Sequence, residues 1–210
     1  MKIQKIRVFM FALLCASQAF AQAPGGAGEC RIRPGALCAD LQLDGMDMHG
    51  ADLANAQFSR SSMAGVNLHG AELSGANLRD ARLPDANLAD AMADDADMTG
   101  SVLVGANLAG AEMNGASLRN ASMQGANARA VGLRGADLFG ANLSKADLTD
   151  ARLQRADFRA ANLGGTIFKN ANLRGADFTN ANLSNADLRG ANLDLATFSR
   201  ANTSGCIGCP

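Results

Sequence analysis

The chain has 210 residues, of which 48% are hydrophobic and only 4% aromatic, and it contains neither Trp nor Tyr. Its 19 basic and 20 acidic residues leave a net charge of -1, which excludes a strongly basic protein that binds nucleic acid through its overall charge. With 23 glycines and few large apolar side chains, a conventional core of interdigitated aromatic and branched residues is not expected.

The N-terminal residues have the pattern of a secretory signal peptide. Basic residues precede an uncharged, mostly apolar run over 8–16, and Ala19 and Ala21 supply small side chains at the positions that a signal peptidase reads. The apolar run is well short of the roughly 20 residues that span a bilayer, so we expect no transmembrane segment in the mature chain. We therefore predict a signal peptide over 1–21, cleavage after Ala21 and a periplasmic or secreted mature protein.

Most of the remaining chain is a repeat with a period of five residues. Counted from Leu43 to Thr203, there are 33 pentads, and only those centred on Ala93, Ala128 and Thr203 lack Leu, Met or Phe at the centre. Ala stands two residues before the centre in 26 of the 33 pentads, so two positions of each pentad are apolar. We predict that these two positions face the core.

A period of five excludes both a helix and a straight strand. A helix turns about 100° per residue, so the apolar row would wind around its axis. Side chains of a strand alternate with period two, so an odd repeat would put successive central residues on opposite faces. The chain must therefore turn once in every pentad, with Gly, Asn or Asp at the corner, where tight turns prefer them.

The pentads at 136–140 and 141–145, with the sequences ADLFG and ANLSK, resemble those of the pentapeptide-repeat family, and the resemblance covers 41–205. It implies an all-β fold, a right-handed four-sided parallel β-helix with four pentads in each coil and about eight coils. At about 4.8 Å per coil such a rod is roughly 40 Å long. Residues 20 positions apart would stack, so that Phe158, Phe178 and Phe198 form one internal ladder.

Four cysteines remain after the predicted cleavage, two on each side of the repeats. On the rod that the resemblance implies, only cysteines at the same end can come within the roughly 7 Å between Cα atoms that a disulfide needs. We therefore expect one bond between Cys30 and Cys38, in an N-terminal segment over 22–40, and another between Cys206 and Cys209, in a tail over 206–210. The C-terminal pair also fits a redox-active dithiol or half of a metal site, but the α/β context of the first and the second ligand pair of the other are missing.

Two polar groups are weak candidates for metal sites. His49 and His69 lie 20 positions apart and would be outward neighbours, but no third ligand stands out. Four aspartates take the corners of one expected coil: Asp80, Asp85, Asp90 and Asp95. Because such corners point away from each other, they cannot supply the roughly six to eight oxygens that calcium uses. We expect no metal and no cofactor.

Charge is distributed unevenly along the chain. Residues 22–120 hold 13 acidic and 6 basic groups, whereas residues 121–210 hold 7 acidic and 10 basic groups. The basic half contains a candidate interaction surface on two neighbouring sides of the rod. It consists of Arg119, Arg134, Phe139, Arg152, Arg155, Arg159 and Arg174. The Phe would project between two arginines, either as a structural cation–π stack or as part of a docking patch.

These features favour a non-catalytic exported scaffold with a rigid surface for an unknown protein or envelope partner. An enzyme is not expected, because an unbroken repeat leaves no loop to build a pocket. The family resemblance offers a second function, since some cytoplasmic members are DNA-mimic inhibitors of DNA gyrase. This chain departs from them in its signal segment, in the lack of a helical tail and in its basic C-terminal half, so the DNA-mimic inhibitor is the alternative function. We expect no nucleic acid as a partner.

Overall fold

The computed structural model describes residues 20–21 and 30–210. Two short strands, β1 (Phe20–Ala21) and β2 (Cys30–Arg31), pair antiparallel, with Phe20 opposite Arg31. The predicted signal peptide lies outside the described residues except for β1, which the predicted cleavage would remove. The described chain after β2 contains no helix and consists of single-residue β-bridges separated by turns.

The bridges form one parallel ladder in which each residue pairs with the residue 20 positions later. The ladder runs without a gap from the pair Leu37 and Gln57 to the pair Asp187 and Ile207. Three backbone hydrogen bonds between coils recur along the ladder, and one of them comes from the corner residue, as from Gly110 N to Arg129 O at 2.9 Å. The central residue donates to the next coil, as from Leu108 N to Asn127 O at 2.7 Å, and the bridging residue donates to the previous coil, as from Asn107 N to Ala86 O at 2.9 Å. One coil therefore takes 20 residues, or four pentads.

Each pentad ends in a tight turn closed by a hydrogen bond. In the pentad of Leu108, the amide of Ala111 donates to the Leu108 carbonyl at 3.1 Å. The corner residue has a positive φ at every fifth position from Gly35 to Gly205, as at Gly105 with φ of 68°. This left-handed conformation explains why Gly, Asn and Asp dominate the corners.

The core contains the two apolar positions of each pentad, as the period predicts. The central residues and the alanines two positions before them are almost fully buried through most of the described coils. The predicted aromatic ladder is confirmed, because the Phe158 and Phe178 rings stack at 5.1 Å and those of Phe178 and Phe198 at 4.9 Å. Phe168 packs edge-on against the first two rings.

The two ends of the ladder differ in how well their core is covered. Cys38, Leu43 and Met48 near the first coil are buried, and Ile32 packs against them. In the last coil Leu193 and Phe198 are only half-buried, because no further coil stacks on them.

The ladder is longer than the range of 41–205 that the repeat motif covers. It includes Leu37, in the segment assigned to the N-terminal unit, and Ile207, in the segment assigned to the tail. Among the described residues, no helix has the length and the hydropathy needed to cross a membrane.

Candidate interaction surface

Three arginines meet on one side of the basic half, which we call the arginine side. Arg134, Gln154 and Arg174 hold the same position in successive coils, and Arg155 takes the corner beside Gln154. Together they border a cleft of about 540 Å³. Its lining consists of Arg134, Gly135, Gln154, Arg155, Asn172, Arg174, Gly175 and Leu195.

The guanidinium groups of Arg134, Arg155 and Arg174 have no hydrogen bond or ion pair with any described residue. All three residues are exposed. Their backbone amides donate hydrogen bonds, from Arg134 to Asn114 Oδ1 at 3.1 Å, from Arg174 to Asn172 Oδ1 at 3.3 Å and from Arg155 to Arg174 O at 2.9 Å. The cleft therefore holds three cationic groups whose hydrogen-bonding capacity is unused within the described chain.

Arg152 lies on the same side but is already paired. It makes an ion pair with Glu112, which stands two coils earlier, and the pair passes over Gly132 in the coil between them. A Cβ at Gly132 would collide with the Glu112 carboxylate and the Arg152 guanidinium. The glycine thus lets Arg152 hold the Glu112 carboxylate, and Arg134 stays without an acidic partner among the described residues.

The corner beside the cleft combines space with an exposed apolar side chain. Gly135 and Gly175 flank Arg155 along the axis and add no side chains to the groove. Leu195, in the next coil, is 77% exposed and has φ of 60°. A non-glycine residue in the left-handed region costs about 1–2 kcal/mol. Both Leu195 and Arg155 carry this cost without a described partner for their side chains.

Phe139 lies on the neighbouring side, between two arginines as predicted. The guanidinium carbons of Arg119 and Arg159 are 4.6 and 5.7 Å from the ring centroid. Both arginines also pair with aspartates, Arg119 with Asp137 at 2.8 Å and Arg159 with Asp157 at 2.6 Å. The hydrogen bond from Arg159 is the main cause that lowers the pKa of Asp157, and burial opposes it. These contacts support the structural interpretation of Phe139, because its cationic neighbours are already satisfied.

The candidate metal groups are dispersed. His49 Nδ1 contacts Asp47 Oδ1 at 2.9 Å, whereas His69 Nδ1 contacts the carbonyl oxygen of Ala89 at 2.9 Å. Within residues 20–21 and 30–210, no group of three or more His, Cys, Asp or Glu side chains is placed to hold a metal ion. The four corner aspartates instead lie beside glycines of the following coil.

The cysteines form the two expected bonds. Cys30 and Cys38 are joined with Cα atoms 5.0 Å apart, which ties β2 to the first coil. Cys206 and Cys209 are joined with Cα atoms 5.9 Å apart beside the last bridge.

Sequence reasoning missed the residues that shape the cleft, namely Gly135, Gln154, Asn172, Gly175 and Leu195. The signal was available in the 20-residue register, since Gln154 stands between Arg134 and Arg174, and Leu195 follows Gly175 by one coil.

Comparisons with known proteins agree with this architecture. The chain matches the family model for pentapeptide repeats in eight copies, which together extend from residue 35 to residue 207. A search of curated proteins gave no match. Among solved structures, HetL from the cyanobacterium Nostoc sp. strain PCC 7120, involved in heterocyst differentiation regulation, is 30% identical with a TM-score of 0.56 over 80% of this chain and 86% of HetL.

Two further solved structures are more distant in their superposition. QnrB1, a plasmid-mediated fluoroquinolone resistance protein, is 21% identical over 83% of this chain and 91% of QnrB1, with a TM-score of 0.42. A protein from the thylakoid lumen of Arabidopsis thaliana is 35% identical over 49% of this chain and 64% of its own, with a TM-score of 0.24.

Proposed function

The chain belongs to the pentapeptide-repeat family, and from this premise we propose that it is a non-catalytic scaffold, exported to the periplasm or cell exterior, that docks an anionic partner on its arginine side. We infer in addition that its coil is right-handed and four-sided, as the family resemblance implies. The 20-residue register with four turns per coil supports the four-sided form.

The observation that carries the docking role is the state of the arginines. In the basic half, Arg129, Arg152, Arg159, Lys169 and Arg189 each have an acidic partner. The three arginines of the cleft have none among the described residues, although ion pairing between stacked coils is frequent elsewhere on the rod. Lys145 and Arg200 are also without an ion pair among the described residues, but neither lines the cleft. Unused guanidinium groups around one cleft favour recognition of an anionic surface.

The non-catalytic role rests on the continuity of the ladder. Enzymes on repeat folds place their reacting groups on loops, which a rigid scaffold positions. The ladder from Leu37 to Ile207 runs without an inserted loop, so it offers a rigid surface for binding. Export is supported by the N-terminal signal pattern and by two disulfides, which persist in oxidising compartments.

The DNA-mimic function is not favoured by this surface. A mimic of DNA presents negative charge along its length, whereas residues 121–210 carry a net charge of +3. The unpaired charged groups that line the cleft are all cations, so the cleft suits an anion rather than a DNA-binding protein.

Photo-crosslinking in the native cells tests the docking role. A photoreactive residue replaces Gln154, at the cleft, or Ser144, which holds the same pentad position on another side. We expect adducts from position 154 that decrease when Arg155 and Arg174 are replaced by Gln, and few adducts from position 144. Equal adducts from both positions, or none from position 154, would contradict the proposal.

A further inference from the structure

We propose that the cleft of the arginine side binds a phosphate ester group, and that Arg134, Arg155 and Arg174 share its oxygens. This inference rests on the proposed docking function and assigns the chemistry of the group that is recognised. A phosphate ester can come from a soluble metabolite or from a lipid head group, and the experiment separates these two sources.

The lining of the cleft offers mainly hydrogen-bond donors. Its polar side chains are three guanidinium groups and the amides of Gln154 and Asn172, with no carboxylate. The amide nitrogens of Gln154 and Asn172 donate to no described residue. The Gln154 amide oxygen is itself buried and without a partner, so it offers no exposed acceptor to a ligand. Donors therefore dominate the polar side chains of the lining, which matches a ligand that only accepts.

The positive charge of the cleft favours a phosphate group over a carboxylate. Three unpaired arginines concentrate three positive charges around one cleft. A phosphate monoester carries about two negative charges near neutral pH and three strong acceptor oxygens, whereas a carboxylate carries one charge and two oxygens. One phosphate group therefore neutralises the cleft better than one carboxylate and can accept from several guanidinium groups at once.

The positions of the three arginines allow their side chains to reach one common group. Arg134 and Arg174 lie two coils apart, about 10 Å along the axis at roughly 4.8 Å per coil, with Gln154 midway between them. Arg155 stands at the corner beside this midpoint. Long arginine side chains from both ends and from the corner can thus converge on a group above Gln154. The volume of about 540 Å³ accommodates the phosphate together with the group that carries it.

Arg134 remains available because the nearest carboxylate on the bridging positions is already bound. Among the bridging positions, the acidic residue nearest to Arg134 in the 20-residue register is Glu112. Arg152 and Asn114 both donate hydrogen bonds to its carboxylate. Gly132 makes that pairing possible across one whole coil. Glu112 is thus neutralised by Arg152, and no carboxylate lines the cleft itself.

NMR titration of the whole mature chain tests the inference, with the arginine side-chain N–H signals as the readout. The probes are inorganic phosphate, acetate at the same ionic strength, and a short peptide rich in Glu. We expect saturable shifts of the Arg134, Arg155 and Arg174 signals with phosphate, and at least about ten-fold weaker binding of acetate and of the peptide. Binding of acetate or of the peptide as tight as that of phosphate would overturn the proposal.

Matched variants identify the site. Replacing Arg155 or Arg174 by Gln is expected to weaken phosphate binding about ten-fold or more, since a hydrogen bond to a charged group is lost. Arg82→Gln is the control, because Arg82 is exposed and unpaired among the described residues but lies on another side. An equal loss in Arg82→Gln would mean that phosphate responds only to net charge, and the proposal would fall.

A second pair of variants fills the cleft without changing charge. Gly175 has φ of 70° and Gly125 has φ of 65°, and Asn is well tolerated in this conformation. We expect Gly175→Asn to weaken phosphate binding and Gly125→Asn, at a corner with open space around it, to leave binding unchanged. Unchanged binding in Gly175→Asn would contradict the location.

Vesicles separate the two sources of the phosphate ester. Co-sedimentation with phosphatidylcholine vesicles that contain phosphatidic acid, and with vesicles that lack it, reports a lipid head group. Sedimentation that depends on phosphatidic acid and on Arg155 assigns the lipid source, and saturable NMR shifts without sedimentation assign the soluble source.

The crosslinking and phosphate-binding results together separate the docking function from the phosphate chemistry. If position 154 crosslinks a partner in cells but phosphate does not bind, the phosphate chemistry is wrong and the docking function stands. If phosphate binds but no crosslink forms, the docking function is wrong and the anion site stands.

Discussion

At the corners of the coil, an Asp or Asn is repeatedly followed by Gly one coil later. The Oδ1 atom of Asp85 lies where a side chain at Gly105 would begin, since a Cβ there would be 2.5 Å from it. The same relation joins Asp80, Asp90, Asp95, Asn55, Asn120, Asn170 and Asn185 to the glycines 20 positions later. These glycines are needed both for their positive φ and for the space that the preceding corner side chain occupies.

Two glycine variants separate the requirement for a positive φ from the requirement for space. Gly125→Ala keeps open space and is expected to cost about 1–2 kcal/mol, the penalty of a left-handed alanine. Gly105→Ala has the same conformational cost and also displaces the Asp85 carboxylate, so we expect a larger loss in urea unfolding. In a double-mutant cycle with Asp85→Ala, the double variant should lose less stability than the sum of the two single losses. Equal losses for both glycine variants, without coupling, would show that space is irrelevant.

The ion pair of Asp157 and Arg159 gives a pH dependence. The Arg159 hydrogen bond lowers the pKa of Asp157 below its value in the unfolded chain, about 3.9. A lowered folded-state pKa stabilises the fold above the unfolded value, and this contribution disappears as pH falls through the folded value. Asp157→Asn should therefore have a lower melting temperature at neutral pH, because its free energy of unfolding falls by about 1 kcal/mol or less for a partly exposed pair. The difference from the parent chain should shrink below about pH 4.

Thermal melts between neutral and acid pH check this expectation. Asp194→Asn is the control, because the Asp194 side chain has no ion pair among the described residues. A difference between Asp157→Asn and the parent chain that stays constant down to the lowest pH would contradict the role of the carboxylate charge.

At the scale of one coil, inward and outward positions alternate within each pentad. Leu108 is fully buried, whereas Ala109 is only partly buried at the start of the turn. We expect Leu108→Asp to cost several kcal/mol, because an unpaired carboxylate would enter the core, and Ala109→Asp to cost little. Thermal melts of the two variants compare neighbouring positions directly. Equal melting temperatures would mean that the phase of the pentads is wrong.

The disulfide between Cys206 and Cys209 lies beside the last coil. The central residues of this coil, Leu193 and Phe198, are half-buried, and their amides find no carbonyl among the described residues. Ile207 makes the final bridge, donating to Ala186 O at 2.9 Å and accepting from Leu188 N at 2.7 Å. The bond between Cys206 and Cys209 encloses Ile207, so it fixes the residue that closes the ladder.

Replacing Cys206 and Cys209 by Ser should loosen this bridge locally. A bond across so short a loop contributes on the order of 1–2 kcal/mol, so we expect roughly ten-fold faster amide exchange at Leu188 and Ile207. The amide of Leu108, in a central coil, serves as the internal control and should not change. A redox function instead predicts unchanged exchange and a reduction potential above the roughly -300 mV of inert structural bonds.

At the scale of the whole molecule, charge divides the rod along its axis. The half up to residue 120 is acidic, and the arginine side lies in the other half. Opposite charges of the two halves can orient the rod toward an anionic partner before contact, an effect that weakens with salt because the Debye length is only about 8 Å at physiological ionic strength.

The proposed export predicts the N-terminus of the mature protein. We expect the mature protein to begin at Gln22, because Ala19 and Ala21 precede that position in the pattern of a signal-peptidase site. Intact-mass analysis of protein from the native cell envelope checks this start. Recovery only from the cytosol, with the basic N-terminal residues still attached, would contradict both export and an envelope partner.

The sequence by itself determined the backbone path, since a strict five-residue period permits one turn per pentad and two inward positions. With the family resemblance it also predicted the 20-residue register, the ladder of Phe158, Phe178 and Phe198, and the two disulfides at opposite ends. Backbone pairing and burial repeat with the motif, so the inward and outward positions of one pentad determine those of the next.

The tertiary structure decided which charged side chains remain free. Arg152 and Arg155 look equivalent in the sequence, but Arg152 reaches across Gly132 to Glu112 while Arg155 has no described partner. Long side chains can choose among several groups in adjacent coils, and the choice depends on distances that the period does not encode. For the same reason the cleft beside Leu195, and the extension of the ladder to Leu37 and Ile207, follow from stacking between coils and not from the pentad motif.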